Sequence, residues 1–488
     1  DQNGSCAGRQ RLRPEAASIH PLSWQADEHN SSMITKLKEE HYRFFKTHKN
    51  QPIKVRIQYL KKLKIVLEDK ELEIYDALYK DLKKPVFESF ASEFLMVLKE
   101  IDSFTKNIKE WSAPKKVSGN LLNFPSQDFL LYEPYGTILM ISPWNYPFQL
   151  AMVPLIGAVA TGNTVVLKPS ESAPNTSKVL IEILSLVFPQ EWVSVVEGDA
   201  KIAQALLKVQ WDYIFYTGST QVGKIVAKAA AEYLTPTTLE LGGKSPCIVD
   251  GTTPIEKTAR RIVWGKFLNC GQTCIAPDYV LVKSEFKTSL ITAIIKEIEK
   301  AFGKNAQKSD DYGRIIHEKH FKKLEADLKD QKIVYGGSKD KKELYFGPTV
   351  IDSPPMNSSL IQDEIFGPIL PILSYDTIND IDIVLTQLKN PLAFYVFSEN
   401  KKFINTLIKN NSFGGGVIND ALVHFTNTEL PFGGIGNSGI GSYHGKYSFD
   451  LFSHTKPIVK RSFWFDLPQR YAPYPKSISL FKKILKRI

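Results

Sequence analysis

The chain is expected to be an α/β protein: one parallel sheet with helices on both faces, followed by a second α/β domain. Three observations lead there. Its 488 residues exceed what one hydrophobic core can organise, so two or three domains are expected. From residue 135 short apolar runs alternate with helical stretches, and a second alternating region runs from Cys247 to about Pro431. That rhythm makes βαβ units, and the sheets they build commonly bind nucleotides.

Residues 1–32 do not begin with Met, are polar and irregular, and lack hydrophobic periodicity. They read as an expression-vector leader with Met33 as the natural start. The alternative is a transit peptide, suggested by Arg9, Arg11 and Arg13 and opposed by Glu15, Asp27 and Glu28. Residues 33–111 read as helices, because apolar residues recur at helical spacing, as in Tyr59, Leu60, Leu63 and Leu67. Leu121-Leu122-Asn123-Phe124-Pro125 followed by Phe129-Leu130-Leu131-Tyr132 reads as a hairpin. Strands are expected at 136–141, 164–168, 193–196 and 213–216, with helices at about 148–160, 175–187 and 199–208. In the second region strands are expected at 247–249, 279–283 and 350–352, with helices near 254–268, 285–302 and 317–330. A Gly-rich stretch follows (Gly414–Gly416, then Pro431-Phe432-Gly433-Gly434-Ile435-Gly436), then a strand near 449–453 and a basic tail. No internal repeat is visible.

Composition excludes several functions. Apolar content of 43% with 23% charged residues is that of an ordinary globular protein. The net charge of +10 comes mostly from lysines spread along the chain, a solvated surface rather than a nucleic-acid footprint. Cys6, Cys247, Cys270 and Cys274 make no disulfide framework and fit a reducing compartment such as the cytoplasm. No Cys-x-x-Cys pair or histidine cluster at metal spacing appears, so no metal site is expected. The longest apolar runs fall short of the ~20 residues that span a bilayer.

Six peptides carry candidate chemistry. Tyr216-Thr217-Gly218-Ser219-Thr220-Gln221-Val222-Gly223-Lys224-Ile225 follows a strand and opens a helix, so backbone N–H groups and the helix dipole face a phosphate-sized space. It nearly matches a P-loop, but Ile225 replaces the Ser or Thr that would bind magnesium, which weakens a nucleotide-hydrolase reading. A plain β–α turn is an equal alternative. Lys168-Pro169-Ser170-Glu171 ends a strand, where a Lys and a Glu can grip ribose hydroxyls or where Ser170 merely caps a turn. Asn145 in Pro143-Trp144-Asn145-Tyr146-Pro147 is either an amide donor for a developing oxyanion or a turn former. Glu364-Ile365-Phe366-Gly367-Pro368 offers a carboxylate beside an aromatic, or a helix end closed by Gly-Pro. Glu240-Leu241-Gly242-Gly243-Lys244-Ser245-Pro246 supplies a carboxylate base. Asn269-Cys270-Gly271-Gln272-Thr273-Cys274-Ile275-Ala276-Pro277 supplies a thiol. An isolated Cys is usually an inert small hydrophobe, and Cys270 and Cys247 are rivals to Cys274.

Together, and in this order, the six peptides resemble the aldehyde dehydrogenase superfamily over residues 33–475. Leu121–Pro125 and Gly441-Ser442-Tyr443-His444-Gly445-Lys446-Tyr447-Ser448-Phe449 resemble its class 3 branch, which acts on fatty and aromatic aldehydes. The resemblance implies a Rossmann-type cofactor domain (33–111 and 133–240), an α/β catalytic domain (241–435) and a small β oligomerisation arm (112–132 and 436–475). It implies Cys274 as nucleophile, since the family places that residue after Gly-Gln-x, with Cys270 a bystander. Glu240 is then the general base, and Asn145 with the Cys274 N–H forms the oxyanion hole. Lys168 and Glu171 are expected at the adenosine ribose, Gly218, Ser219 and Gly223 by the pyrophosphate, and Glu364 with Phe366 at the nicotinamide riboside. Tyr146, Trp264, Thr273 and Phe432 are expected to line the aldehyde tunnel. NAD is the expected cofactor, with NADP admitted.

The resemblance also implies a homodimer joined through the arm. In the tail at 476–488, Ile478, Phe481, Leu485 and Ile488 fall at helical spacing among basic residues. Such a helix either lies on an anionic membrane or packs on protein. The rival functional reading is a non-catalytic, ligand-binding member of the same fold, which would be expected to lack Cys274 or Glu240.

Overall fold

The computed structural model describes residues 28–120, 123–466, 468–475, 477–479 and 482. Most of the expected leader, Leu121 and Leu122 of the expected hairpin, and most of the basic tail lie outside the described residues.

Helices α1 (Glu28–Lys46), α2 (Ile53–Asp69), α3 (Glu71–Leu82), α4 (Val86–Ser89) and α5 (Leu95–Trp111) form an N-terminal layer. The apolar stripe of α2 buries Leu60, Leu63 and Leu67. One turn of π-helix, Phe90–Phe94, joins α4 to α5 and buries Glu93. The strands β1 (Lys115–Val117) and β2 (Ser126–Pro134) follow, paired antiparallel with Lys115 opposite Leu130. A hairpin is therefore present, but its first strand lies earlier than expected. Asn123, Phe124 and Pro125 belong to the connection, because Pro125 has no N–H for a ladder and Phe124 is exposed.

The first large sheet contains β3 (Thr137–Ile141), β4 (Thr164–Lys168), β5 (Val193–Val195), β6 (Tyr213–Thr217) and β7 (Thr237–Glu240). They run parallel in the order β7-β6-β3-β4-β5. Helices α6 (Gln149–Ala160), α7 (Pro174–Val187), α8 (Ala200–Leu207) and α9 (Thr220–Glu232) connect them. Every residue of α6 is buried, so this helix sits in the middle of the core. The strand order reverses between β3 and β6, which opens a crevice at the strands' C-terminal ends.

The chain crosses to the second sheet through Glu240–Pro246. That sheet begins with β8 (Pro246–Val249), α10 (Ile255–Phe267), β9 (Tyr279–Lys283), α11 (Lys287–Phe302), α12 (Glu318–Asp327) and β10 (Ile333–Tyr335). A short ladder, β11 (Lys339–Asp340) with β12 (Tyr345–Phe346), stands apart. The sheet continues through β13 (Thr349–Asp352), α13 (Ser359–Gln362), β14 (Ile369–Tyr375), α14 (Ile378–Gln387), β15 (Ala393–Phe397), α15 (Lys401–Asn410) and β16 (Gly415–Ile418). Its order is β10-β13-β14-β9-β8-β15-β16, seven strands where three were expected. Gly415 and Gly416 thus open an edge strand.

Finally β17 (Gly439–Ile440) pairs with β7, α16 (Gly445–Leu451) packs on α5 and α6, and β18 (Ser453–Arg461) joins β2 in the three-stranded sheet β1-β2-β18. The strand expected at 449–453 is a correction. Phe449–Leu451 finish α16, Phe452 caps it and Ser453 opens β18; the first turn of α16 is held by the Ser448 hydroxyl accepting from the His444 N–H at 2.8 Å. Burying Phe449 and Phe452 on one helical turn satisfies the same apolar pattern that suggested a strand.

Candidate active site

A cavity of about 1010 Å³ lies where the C-terminal ends of β3, β6 and β7 face the loops of the second sheet. Each wall segment is placed by a strand end. The turn after β3 brings Pro143–Tyr146, the turn after β6 brings Thr217–Ser219, and the end of β7 brings Glu240–Gly242. From the other side come Thr273–Ile275, Glu364, Phe366, Trp264 on α10 and Phe432.

Asn145, Tyr146, Gly218, Ser219, Glu240, Trp264, Thr273, Cys274, Glu364, Phe366 and Phe432 therefore share one cavity. Lys168 and Glu171 lie outside that wall, at the end of β4, ion-paired at 2.7 Å. Gly223 is also outside it. A Cβ there would meet Leu241 at 2.5 Å, so Gly223 lets α9 pack closely on the segment after β7. Ser219 caps α9, its hydroxyl accepting from the Val222 N–H at 3.4 Å. Ile225 is exposed on α9.

The thiol loop is held by backbone geometry. Gly271 has φ of +70°, and a Cβ there would lie 2.3 Å from the Gly367 carbonyl oxygen. Gln272 is fully buried and anchors the loop from three sides. Its amide donates to the Asn269 and Arg314 carbonyls, and its side-chain oxygen accepts from the Ile316 N–H. Cys274 is half-buried on the cavity wall, whereas Cys270 and Cys247 are buried away from it. Burial pushes the Cys274 thiol up, and the carboxyls of Glu364 and Glu240 add to this. N–H groups of Cys274 and Ile275 act in the opposite direction.

Asn145 is 3% exposed and donates one amide N–H to the Gln272 carbonyl at 3.1 Å. An amide has two such hydrogens, so one stays available. Tyr146 and Thr273 share a hydrogen bond of 2.7 Å. Glu240 ends β7 with neither carboxyl oxygen hydrogen-bonded, and burial raises it well above the ordinary carboxylate range. Buried polar groups rarely stay unpaired, and a strongly shifted carboxyl in a cavity is a candidate functional group.

Glu364 lies against bare backbone. A Cβ on Gly242 would be 2.0 Å from its carboxylate, so only glycine fits there. Burial and then Asp278 push the Glu364 carboxyl up to about 8, opposed by the Gly243 N–H, Lys244 and Lys323. Phe366, at φ +54°, stands edge-on to Trp144 at 5.2 Å. Its carbonyl accepts from His320 Nε2 at 2.6 Å, which fixes the proton on that nitrogen.

Sequence reasoning missed Lys84, Glu88, Glu93 and His320. Glu88 and His320 line the cavity, and Lys84 and Glu93 lie just behind it. No local motif flags them, since each reaches the site only through the packing of α3–α5 and α12. Among the described residues no group of His, Cys, Asp and Glu is arranged to hold a metal.

The chain matches the aldehyde dehydrogenase family over residues 23–458. It is 44% identical to the 4,4'-diaponeurosporen-aldehyde dehydrogenase of Staphylococcus aureus, over 91% of this chain and 97% of that protein. It is likewise 44% identical to mouse aldehyde dehydrogenase family 3 member A2, covering 85% and 86%. Among solved structures, the substrate-bound state of Staphylococcus aureus AldH superposes with a TM-score of 0.90 at 43% identity, covering 93% and 99%. A Mycobacterium tuberculosis aldehyde dehydrogenase complexed with NAD+ shares the fold at 24% identity, with a TM-score of 0.81 over 90% and 92%. The chain thus belongs to the aldehyde dehydrogenase family and is an oxidoreductase that oxidises aldehydes.

Proposed function

We propose that Cys274 is the nucleophile, Asn145 the oxyanion donor and Glu240 the general base of an NAD(P)-dependent oxidation. The observation that carries this reading is the convergence of all three on one cavity, with the Glu240 carboxyl unpaired.

The residues fit a dinucleotide. Gly218 lines the cavity at the start of α9, a Cβ there would strike the Tyr216 hydroxyl at 2.2 Å, and the Thr217 hydroxyl is buried without a partner. Gly218 and Ser219 would hold the pyrophosphate at the helix N-terminus, Glu364 and Phe366 the nicotinamide riboside, and Lys168 with Glu171 the adenosine ribose. Gly223 supports this turn by packing. Glu171 favours a 2′-hydroxyl, hence NAD, and Lys168 beside it admits NADP. When bound, the oxidised nicotinamide accepts the hydride from the substrate carbon.

The protein's own part is covalent and electrostatic. Cys274 reacts as the thiolate, its proton having passed to solvent water, and its Sγ forms a bond to the aldehyde carbon. The carbonyl electron pair moves onto oxygen, where the free Asn145 N–H and the Cys274 backbone N–H receive it. Departure of the hydride regenerates C=O as a thioester on Cys274. Glu240 then takes a proton from water, the hydroxyl adds to the acyl carbon, and the C–S bond breaks to release the acid.

Cys274→Ala is expected to lose aldehyde oxidation while binding cofactor normally. Glu240→Gln is expected to release one equivalent of reduced cofactor and then turn over slowly. Full steady-state turnover in either variant contradicts its assignment. A non-catalytic role finds no support, since both reactive residues are present and reach one cavity.

Tyr146, Trp264, Thr273 and Phe432 are assigned to the aldehyde tunnel, with Met96, Leu150 and Phe425 extending its apolar wall. That surface suits medium- or long-chain aliphatic and aromatic aldehydes. Competition among hexanal, benzaldehyde and decanal tests it, and preference for a short polar aldehyde would reject it.

We also propose a cytoplasmic homodimer joined through the sheet β1-β2-β18, which exposes Val117 and Val459, with Phe124 exposed in the β1–β2 connection. No helix among the described residues is long and apolar enough to cross a membrane. Surface contact through 476–488 is tested by vesicle sedimentation of the full chain against a truncation at 475. Sedimentation velocity tests the dimer.

A further inference from the structure

Three ionisable side chains between α3 and α5 reach the backbone of both reactive loops. Lys84 forms an ion pair with Glu93, both fully buried, and also donates to the Asn145 carbonyl at 3.2 Å. Its ammonium lies 4.1 Å from the centroid of the Tyr146 ring. The second Glu93 oxygen accepts from the Phe148 and Gln149 N–H groups at 2.9 and 3.1 Å, at the positive end of α6. Glu88 accepts from the Asn269 N–H at 3.0 Å.

These anchors close a ring around the oxyanion donor. The Asn269 amide donates to the Asn145 carbonyl at 2.8 Å and to the Gln272 carbonyl at 3.2 Å. The Gln272 carbonyl in turn receives the Asn145 side-chain N–H. Both peptide groups of the ring are thereby fixed, and Asn145 keeps one amide hydrogen for the cavity. A buried ion pair is a poor source of stability, because desolvation offsets its attraction and an apolar pair of similar volume often does as well. Its hydrogen bonds, however, reach the turn that carries Asn145 and the first residue of α6 that follows it. The π turn at Phe90–Phe94 that carries Glu93 is of a kind found often at functional sites.

We propose that Lys84, Glu93 and Glu88 are positioning residues that hold Asn145 and the 269–274 loop in register for oxyanion stabilisation. This rests on the reading of Asn145 as the oxyanion donor. Lys84 and Glu93 set the Asn145 peptide, and Glu88 sets the Asn269 peptide that braces it.

The test compares the full-length protein with Lys84→Met/Glu93→Gln, which leaves no unpaired buried charge, with Asn145→Ala, and with all three changes combined. Single-turnover acylation with benzaldehyde and cofactor affinity are measured for each. Losing one oxyanion-hole donor costs roughly 10²–10³-fold, and the Lys84/Glu93 variant is expected to lose about tenfold or more with cofactor affinity unchanged. Added to Asn145→Ala, the same two changes are expected to cost less than about twofold, the non-additivity of residues acting through one group. Equal loss in both backgrounds, or no loss in the first, overturns the proposal. Undiminished acylation in Asn145→Ala overturns the underlying reading instead. Independently, Glu88→Ala is expected to slow acylation and Glu88→Gln, which keeps an acceptor for Asn269, to restore it. Equal slowing in both, or slowing in neither, removes Glu88 from the assignment.

Discussion

The hydroxyls of Tyr146 and Thr273 lie 2.7 Å apart, joining the turn that carries Asn145 to the loop that carries Cys274. One residue belongs to the first sheet's β3–α6 turn, the other to the approach to β9 in the second sheet. With the Asn145–Gln272 and Asn269–Asn145 bonds, it holds Asn145 and Cys274 at a fixed spacing.

Tyr146→Phe is expected to leave the Thr273 hydroxyl without this partner at a cost of about 1–2 kcal/mol. Acylation should slow several-fold as the two loops loosen. Thermal unfolding and single-turnover rates check both, and an unchanged rate would show that the other wall contacts suffice.

Glu364→Gln is expected to make Cys274 easier to ionise. The Glu364 carboxylate, ionised above about 8, raises the thiol's pKa, so removing its charge lowers that pKa. Alkylation of Cys274 by iodoacetamide, followed against pH, should shift its midpoint to lower pH. A midpoint that stays fixed would show that the Glu364 charge does not act on the thiol.

Glu100 contributes to how stability depends on pH. Burial pushes its carboxyl up to about 7, while the Gly445 N–H, 2.9 Å away, opposes the shift. A carboxyl raised in the folded state keeps its proton longer there than in the unfolded chain. Its contribution is thus favourable below the ordinary value of 4.5 and is lost as pH climbs towards 7. The loss is on the order of 3 kcal/mol. Glu100→Gln should melt higher than the parent at pH 8, with the gap closing by pH 5. A constant gap would place the effect elsewhere.

Gly271→Ala should disable the enzyme without any change to a reacting group. The substitution combines a left-handed φ of +70° with a Cβ 2.3 Å from the Gly367 carbonyl. Strain on the order of 2–3 kcal/mol is expected, relieved by displacing the loop that carries Cys274. Lower melting temperature and slow thiol alkylation are the readouts, and normal alkylation would contradict this.

The short apolar run that marks each of β3, β4, β6 and β9 is a local property, since strands buried on both faces must be apolar whatever surrounds them. The same locality made the hairpin and the segment at 449–453 ambiguous. An apolar run such as Phe449–Phe452 is buried equally well by a helix packed on α5 and α6. The order of the six peptides was likewise written in the chain and carried the family with it.

Residue types and their spacing by themselves determined the parallel first sheet, while the family resemblance carried by the six peptides singled out the thiol after Gly271-Gln272 and the carboxylate at Glu240. Only the tertiary structure decided which of them meet, because the cavity is assembled from the ends of two sheets that the sequence lists separately. It placed Cys270 away from the cavity and left both oxygens of Glu240 unpaired. It also drew Lys84, Glu88 and Glu93 from a helical layer to the backbone of Asn145, Phe148, Gln149 and Asn269. Hydrogen bonds that span such separations depend on packing, and no local pattern encodes them.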